Sequence, residues 1–196
     1  MTTPRGPIDG PRHAPGDAPS IDDAGLLHRC QHRIRAVLPT APTGLEDLRQ
    51  ALSRHRRRRI SVLFTDPAGL TLPAGLWLEL DDHDLVWIDR RTSPMMRIVA
   101  ACHEFGHIIS GHQPTRSADA STGSARPGQR DVRALARDQL GLPTGAIQAI
   151  RMRCGDPHER GSRHWHEERE AEMIGRLLAA RVLRHPRGLA QALIDL

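Results

Sequence analysis

The chain has no lysine and no tyrosine, and it carries only two phenylalanines, three tryptophans and three cysteines in 196 residues. Each shortage excludes something. So few aromatic rings leave little surface for stacking on single-stranded nucleic acid. Cys30, Cys102 and Cys154 are widely spaced and form no CxxC pair, so neither a disulfide framework nor a cysteine-bound metal site is indicated. The simplest reading is a reduced, cytoplasmic protein. No apolar run is long enough to span a bilayer, and the Pro-, Gly- and Asp-rich start does not read as a signal peptide. All 28 basic residues are arginine, and the formal charge is +5. Arginine codons can be GC-rich while lysine codons cannot, so genome composition accounts for this bias as well as function does. Arg54, Arg56, Arg57, Arg58 and Arg59, with His55, read as a solvated basic helix end rather than a phosphate-binding patch. Direct binding of nucleic acid is not expected, and neither is a membrane partner.

Residues 1–19 hold five of the 15 prolines and read as a disordered tail. Residues 20–196 read as a single domain with a mobile loop at about 113–130, where Ser, Thr, Ala, Gly, Arg and Pro cluster. From Ser20, a cap candidate, Leu26, Leu27, Cys30, Ile34, Val37 and Leu38 keep helical spacing. Thr43 and Glu46 form a capping-box pattern ahead of a second helix carrying Leu45, Leu48 and Leu52. The period then changes. Ile60, Val62 and Phe64 alternate, and Leu76–Leu80 and Leu85–Ile88 flank Asp81-Asp82-His83-Asp84 as a hairpin. Helical spacing returns around Val132–Leu140, after Pro143, over His166–Leu183 and over Leu189–Leu196.

The chemistry concentrates in His103-Glu104-Phe105-Gly106-His107, an HExxH run. Ser93-Pro94 predicts a helix start and Gly111 its stop. Between them Met95, Ile98, Val99, Cys102, Phe105, Ile108 and Ile109 are apolar on nearly every side, so the helix is expected to be buried. Two histidines four apart share one helical face and can hold one zinc ion, with Glu104 acting on a water there. Buried imidazoles and a carboxylate need internal partners, and metal coordination supplies them.

A third ligand is required. The HExxHxxGxxH spacing fails, because Ser110 and Gln113 stand where its glycine and histidine belong. His112 is out of register and reads as a surface residue just past the helix end. The run His166-Glu167-Glu168-Arg169-Glu170-Ala171-Glu172 offers carboxylates instead. Glu168 and Glu172 are four apart on one face, so Glu168 can bind the metal while Glu172 accepts an N–H from a ligand histidine. Glu170 and His164 are the substitutes, and Ala171 beside them permits close helix packing. A plain charged helix with Glu168 and Glu172 paired to Arg176 is the alternative.

In the order of its parts the chain resembles the ImmA/IrrE family of bacterial metallopeptidases. The matching pieces are Arg59-Ile60-Ser61-Val62, Asp84-Leu85-Val86-Trp87-Ile88, His103-Glu104-Phe105-Gly106-His107 and Glu168-Arg169-Glu170-Ala171-Glu172. The resemblance covers about residues 45–183, with Glu172 standing where the family more usually has Asp or Asn. The resemblance implies an α+β, zincin-like fold: a small antiparallel sheet packed on the HExxH active-site helix and a later Glu-bearing helix. It further implies zinc held by His103, His107 and Glu168, Glu104 as the catalytic residue, and a helix-turn-helix repressor as protein substrate in stress or mobile-element regulation. With tyrosine absent, His164, His166 or Arg163 become candidate oxyanion donors. The rival expectation is a zinc-containing protein that binds a regulatory partner without cutting it, as a sensor or toxin-antitoxin-like component.

Overall fold

The computed structural model describes residues 21–116, 129–143, 145–151 and 162–186. The expected tail at 1–19, the cap at Ser20, most of the 113–130 loop and the final helix at 189–196 lie outside them. Among the described residues the chain is α+β. Helix α1 (Ile21–Val37) and helix α2 (Leu45–Arg56) come first, followed by β1 (Arg59–Thr65), β2 (Gly75–Leu80) and β3 (His83–Asp89). Helix α3 (Pro94–Ser110) follows, then the two-residue β4 (Thr115–Arg116), the short helix α4 (Gln129–Ala134) continuing into a π-helical turn at Leu135–Gln139, β5 (Ile147–Arg151) and helix α5 (Arg163–Arg184).

The sheet order is β1-β3-β2-β5-β4. The β2–β3 hairpin forms as its sequence pattern predicts, with Trp77 opposite Val86 and Leu78 opposite Leu85. The expected all-antiparallel sheet is corrected, however. β1 runs parallel to β3, from Arg59 opposite His83 to Thr65 opposite Asp89, so the sheet is mixed. Alternation in β1 specifies a two-faced strand but carries nothing about the direction of its neighbour.

Both faces of the hairpin are covered. Trp77, Val86 and Ile88 join Ile60 in a core shared with α1, α2, α3 and α5. Leu76, Leu78, Leu80, Leu85 and Trp87 turn the other way, against Val132, Leu135 and Ala136 of the α4 region. That second core explains why β2 and β3 read as nearly continuous apolar runs. The helical expectation after Pro143 is also overturned. Ile147–Arg151 is a strand antiparallel to β2, because Ile147, Ala149 and Ile150 find sheet neighbours there.

Several local expectations change in detail. Gly44, not Thr43, stands at the cap of α2 with no side-chain cap bond. The Thr43 N–H instead donates to Asp47 (2.9 Å), and Glu46 accepts from Arg49. The expected 113–130 loop has structured ends, since Thr115–Arg116 pair with β5 and Gln129–Arg130 open α4. The late helix begins before His166, where the Ser162 side chain accepts from the Trp165 N–H. The basic stretch is partly internal. Asp84, fully buried, pairs with Arg56 at 2.8 Å and Arg58 at 3.2 Å.

Candidate metal centre

Helix α3 forms where its caps predict. The Ser93 side chain accepts from the Met96 N–H, Pro94 occupies the first turn, and Gly111 closes the helix with φ 71°. That φ belongs to the left-handed region, which glycine enters without steric cost. From Arg97 to Ile109 the helix is buried, His103, Glu104 and His107 included, apart from half-buried Val99. Met95, expected inside, is exposed in the first turn.

Helix α5 packs more extensively on α3 than on any other element, and small residues make the approach possible. A Cβ placed on Gly106 would stand 2.5 Å from the Ala171 carbonyl oxygen, and one on Gly175 would stand 2.9 Å from the His103 Cα. The two backbones therefore touch at His103 and again at Gly106. This crossing brings Glu168 against the histidine pair.

His103 Nε2 and His107 Nε2 are 3.1 Å apart. The Glu168 oxygens lie 3.5 Å from each of these nitrogens. Ligand atoms about 2.0–2.2 Å from one tetrahedral ion stand about 3.3–3.6 Å from each other; the two Glu168 distances fall in that range, and the histidine pair is slightly closer. The two imidazole nitrogens face one another with room for one proton or one cation between them. Glu168 Oε2 is also buried without a hydrogen-bond partner. Among the described residues, His103, His107 and Glu168 form a group whose ligand atoms all lie within 4.8 Å of one another. The residues fit a divalent ion.

The electrostatics separate the two histidines. Burial pushes His107 down to about 4, so its imidazole is neutral and able to ligate at neutral pH. Burial also opposes charge on His103, but Glu168, Glu104 and Glu172 outweigh it and raise its pKa. Glu168 resists burial in the same way, and the two histidines hold it well below the usual carboxylate range.

The neighbours of the trio differ from expectation in instructive ways. Glu172 Oε2 lies 3.4 Å from His103 Nδ1, but that nitrogen makes no aligned hydrogen bond, so the expected acceptance of its N–H is not seen. Glu172 also accepts from Arg176 at 2.8 Å. Glu170 is not in the trio; it lies beside His112, with 3.2 Å between Glu170 Oε2 and His112 Nε2. His112 is corrected outright. It is buried, not a surface residue, and its Nδ1 sits 2.9 Å from His107 Nδ1. The turn at Gly111 folds it back, with its N–H donating to the His107 carbonyl.

Arg151 was not singled out by sequence at all. Buried at the end of β5, it donates to Glu168 at 3.2 Å and to Glu167 at 2.8 Å. Its only local signal is a charge closing the short segment Ile147–Ile150, apolar but for Gln148. Of the candidate oxyanion donors, His164 stands 3.9 Å from Glu168 with its Nε2 buried and unpartnered. His166 is on another face of α5, lining a cleft with Arg29 and Arg33. Arg163 is exposed and bonded to Glu167.

No family model, curated protein or solved structure matches the chain. The case for a metal centre therefore rests on the chain's own residues. Glu104 completes it. The carboxylate is buried next to His103 and packs over the start of β2, where a Cβ on Gly75 would meet its Oε1 at 3.1 Å. A metal cradle with a confined carboxylate beside it is suited to hydrolysis.

Proposed function

We propose that the chain is a zinc-dependent endopeptidase of the ImmA/IrrE kind, zincin-like in architecture, that acts in the cytoplasm on a helix-turn-helix repressor. The observation that carries the metal part is the convergence of His103, His107 and Glu168 at mutual distances of 3.1–3.5 Å. The peptidase and repressor parts rest on the sequence resemblance, which covers the HExxH run and the Glu168-bearing helix.

When bound, zinc would lower the pKa of a water towards about 7 and polarise a scissile carbonyl. The protein's share of the work falls to six side chains. His103, His107 and Glu168 would hold the ion, and Arg151 holds Glu168 in place. Glu104 would take the proton from the attacking water and return it to the leaving amine. Its packing over Gly75 restricts the carboxylate to a narrow range of positions, which favours that transfer. His164, with a free buried nitrogen beside Glu168, would donate to the developing oxyanion.

The test begins with metal content of the purified chain, compared with Glu168→Ala and His103→Ala. About one zinc per chain, lost or weakened in both variants, supports the ligand set. Folded wild type with no metal, purified without chelator, rejects it. Incubation with a repressor encoded beside the gene then separates the two functional readings. A cut repressor supports the peptidase, and one that binds zinc-loaded protein but stays whole supports the partner-binding alternative.

A further inference from the structure

We infer that His112 is a positioning residue of the metal centre: Glu170 and Arg33 lock its tautomer, and it in turn locks that of His107. The inference rests on the metal-centre reading and extends it to helix α1. Four side chains stand in line. Arg33 Nε lies 3.1 Å from Glu170 Oε1. Glu170 Oε2 lies 3.2 Å from His112 Nε2, and His112 Nδ1 lies 2.9 Å from His107 Nδ1. His107 Nε2 is the atom that faces His103 and Glu168.

Each contact admits one donor, and for a neutral His112 the end of the line decides them all. Arg33 can only donate, and a carboxylate between two donors can only accept. Glu170 therefore requires the proton of neutral His112 on Nε2. His112 Nδ1 is then a bare acceptor, which places the proton of His107 on Nδ1. His107 Nε2 is left with a free lone pair, the form that binds a metal. The opposite arrangement fails at both ends. His112 Nε2 would face a carboxylate with no proton between them, and His107 would point an N–H at the metal position.

The line is built into the packing. His107 and His112 are buried, with their rings edge to face at 5.1 Å. Arg33 also donates to the Ser110 carbonyl at 2.7 Å, so α1 grips the end of α3 from which His112 turns back. Nothing in a charged surface pair between α1 and α5 needs a buried histidine between it and a ligand.

Glu170→Gln tests the line with almost no change of shape. A glutamine can accept from Arg33 through its oxygen and donate to His112 through its amide, which releases the lock and permits the opposite tautomer. The measurements are zinc affinity of the full chain by competition with a chromophoric chelator, and the His107 and His112 tautomers by nitrogen-15 NMR on zinc-free protein. The expected results are a loss of about 10- to 100-fold in affinity for Glu170→Gln and His112→Leu, and a His107 proton moved from Nδ1 to Nε2 in Glu170→Gln. His112→Gln, whose amide oxygen can accept from His107 Nδ1, should recover part of the affinity lost in His112→Leu. Wild-type affinity in Glu170→Gln with the His107 proton still on Nδ1 overturns the inference. Wild type that binds no divalent ion overturns the metal centre instead, and the tautomers in the same sample still report whether the line exists.

Discussion

Gly106 of α3 and Ala171 of α5 meet backbone to backbone: a Cβ on the glycine would stand 2.5 Å from the alanine carbonyl oxygen. No side chain longer than hydrogen fits between them. The contact falls in the middle of the HExxH run, three residues of α5 away from Glu168, so it sets how far the carboxylate stands from the histidines. Gly106→Ala should push the helices apart and cost about 1–3 kcal/mol, the range for overpacking a tight core. Urea denaturation reads the stability, and chelator competition should show weaker zinc binding. A variant as stable and as tight as wild type would mean that the crossing has slack.

Glu104→Gln separates binding from chemistry. The side chain is not among the three converging ligands, so the variant should keep about one zinc per chain. Cleavage should fall by at least about 100-fold, as expected for removal of a general base. Mass spectrometry of the products from a candidate repressor follows the second quantity and elemental analysis the first. Cleavage at the wild-type rate would remove Glu104 from the mechanism.

Removing the metal should destabilise the fold without abolishing it. Chelator exposes Glu168 and the histidines to each other, but the carboxylates that raise the His103 pKa allow a protonated His103 to pair with Glu168. The melting temperature should drop on chelation and recover on adding zinc. A ligand at 100 times its Kd stabilises by about 2.7 kcal/mol, which sets the scale of the recovery. An unchanged melting temperature would argue against a specific site.

The basic stretch yields two opposite expectations. Asp84→Ala leaves Arg56 and Arg58 without their shared buried partner, and should cost about 3–5 kcal/mol. Arg54→Ala, at an exposed position, should change stability by less than about 0.5 kcal/mol. Equal effects in urea denaturation would contradict the buried role of Asp84.

Cys30 offers a pH test away from the metal. Burial, with Glu170 adding to it, pushes its thiol up from 9.0 to about 11. Between those values the unfolded chain loses the proton and the folded chain keeps it, so stability is intact below about pH 9 and declines as pH rises towards about 11. Thiol labelling under native conditions should stay slow at pH 8 and accelerate in urea. Rapid native labelling at Cys30 would show that α1 opens easily.

Local signals were legible wherever a cap or a period carried them. Ser93, Pro94 and Gly111 bounded α3 to within a residue, and the hairpin followed from two apolar runs around four polar residues. Ile147–Arg151 was misread because five residues are too few to separate a strand from a helical turn by spacing. His112 was misread for another reason. A position just beyond a helix stop reads as solvent, unless something shows that the chain turns back under the helix.

The sequence by itself determined the histidine pair of the candidate metal centre. A period of about 3.6 residues puts His103 and His107 on one side of α3 whatever surrounds it, and Glu104 next to them. Tertiary structure alone decided what closes the ring around that pair. Glu168 rather than Glu170 reaches the histidines because Gly106, Ala171 and Gly175 let two helix backbones touch at one rotation. Arg151 arrives from a strand and Arg33 from a helix that no local pattern connects to either. Those partners are far apart along the chain, and only the matching of whole packed surfaces selects them.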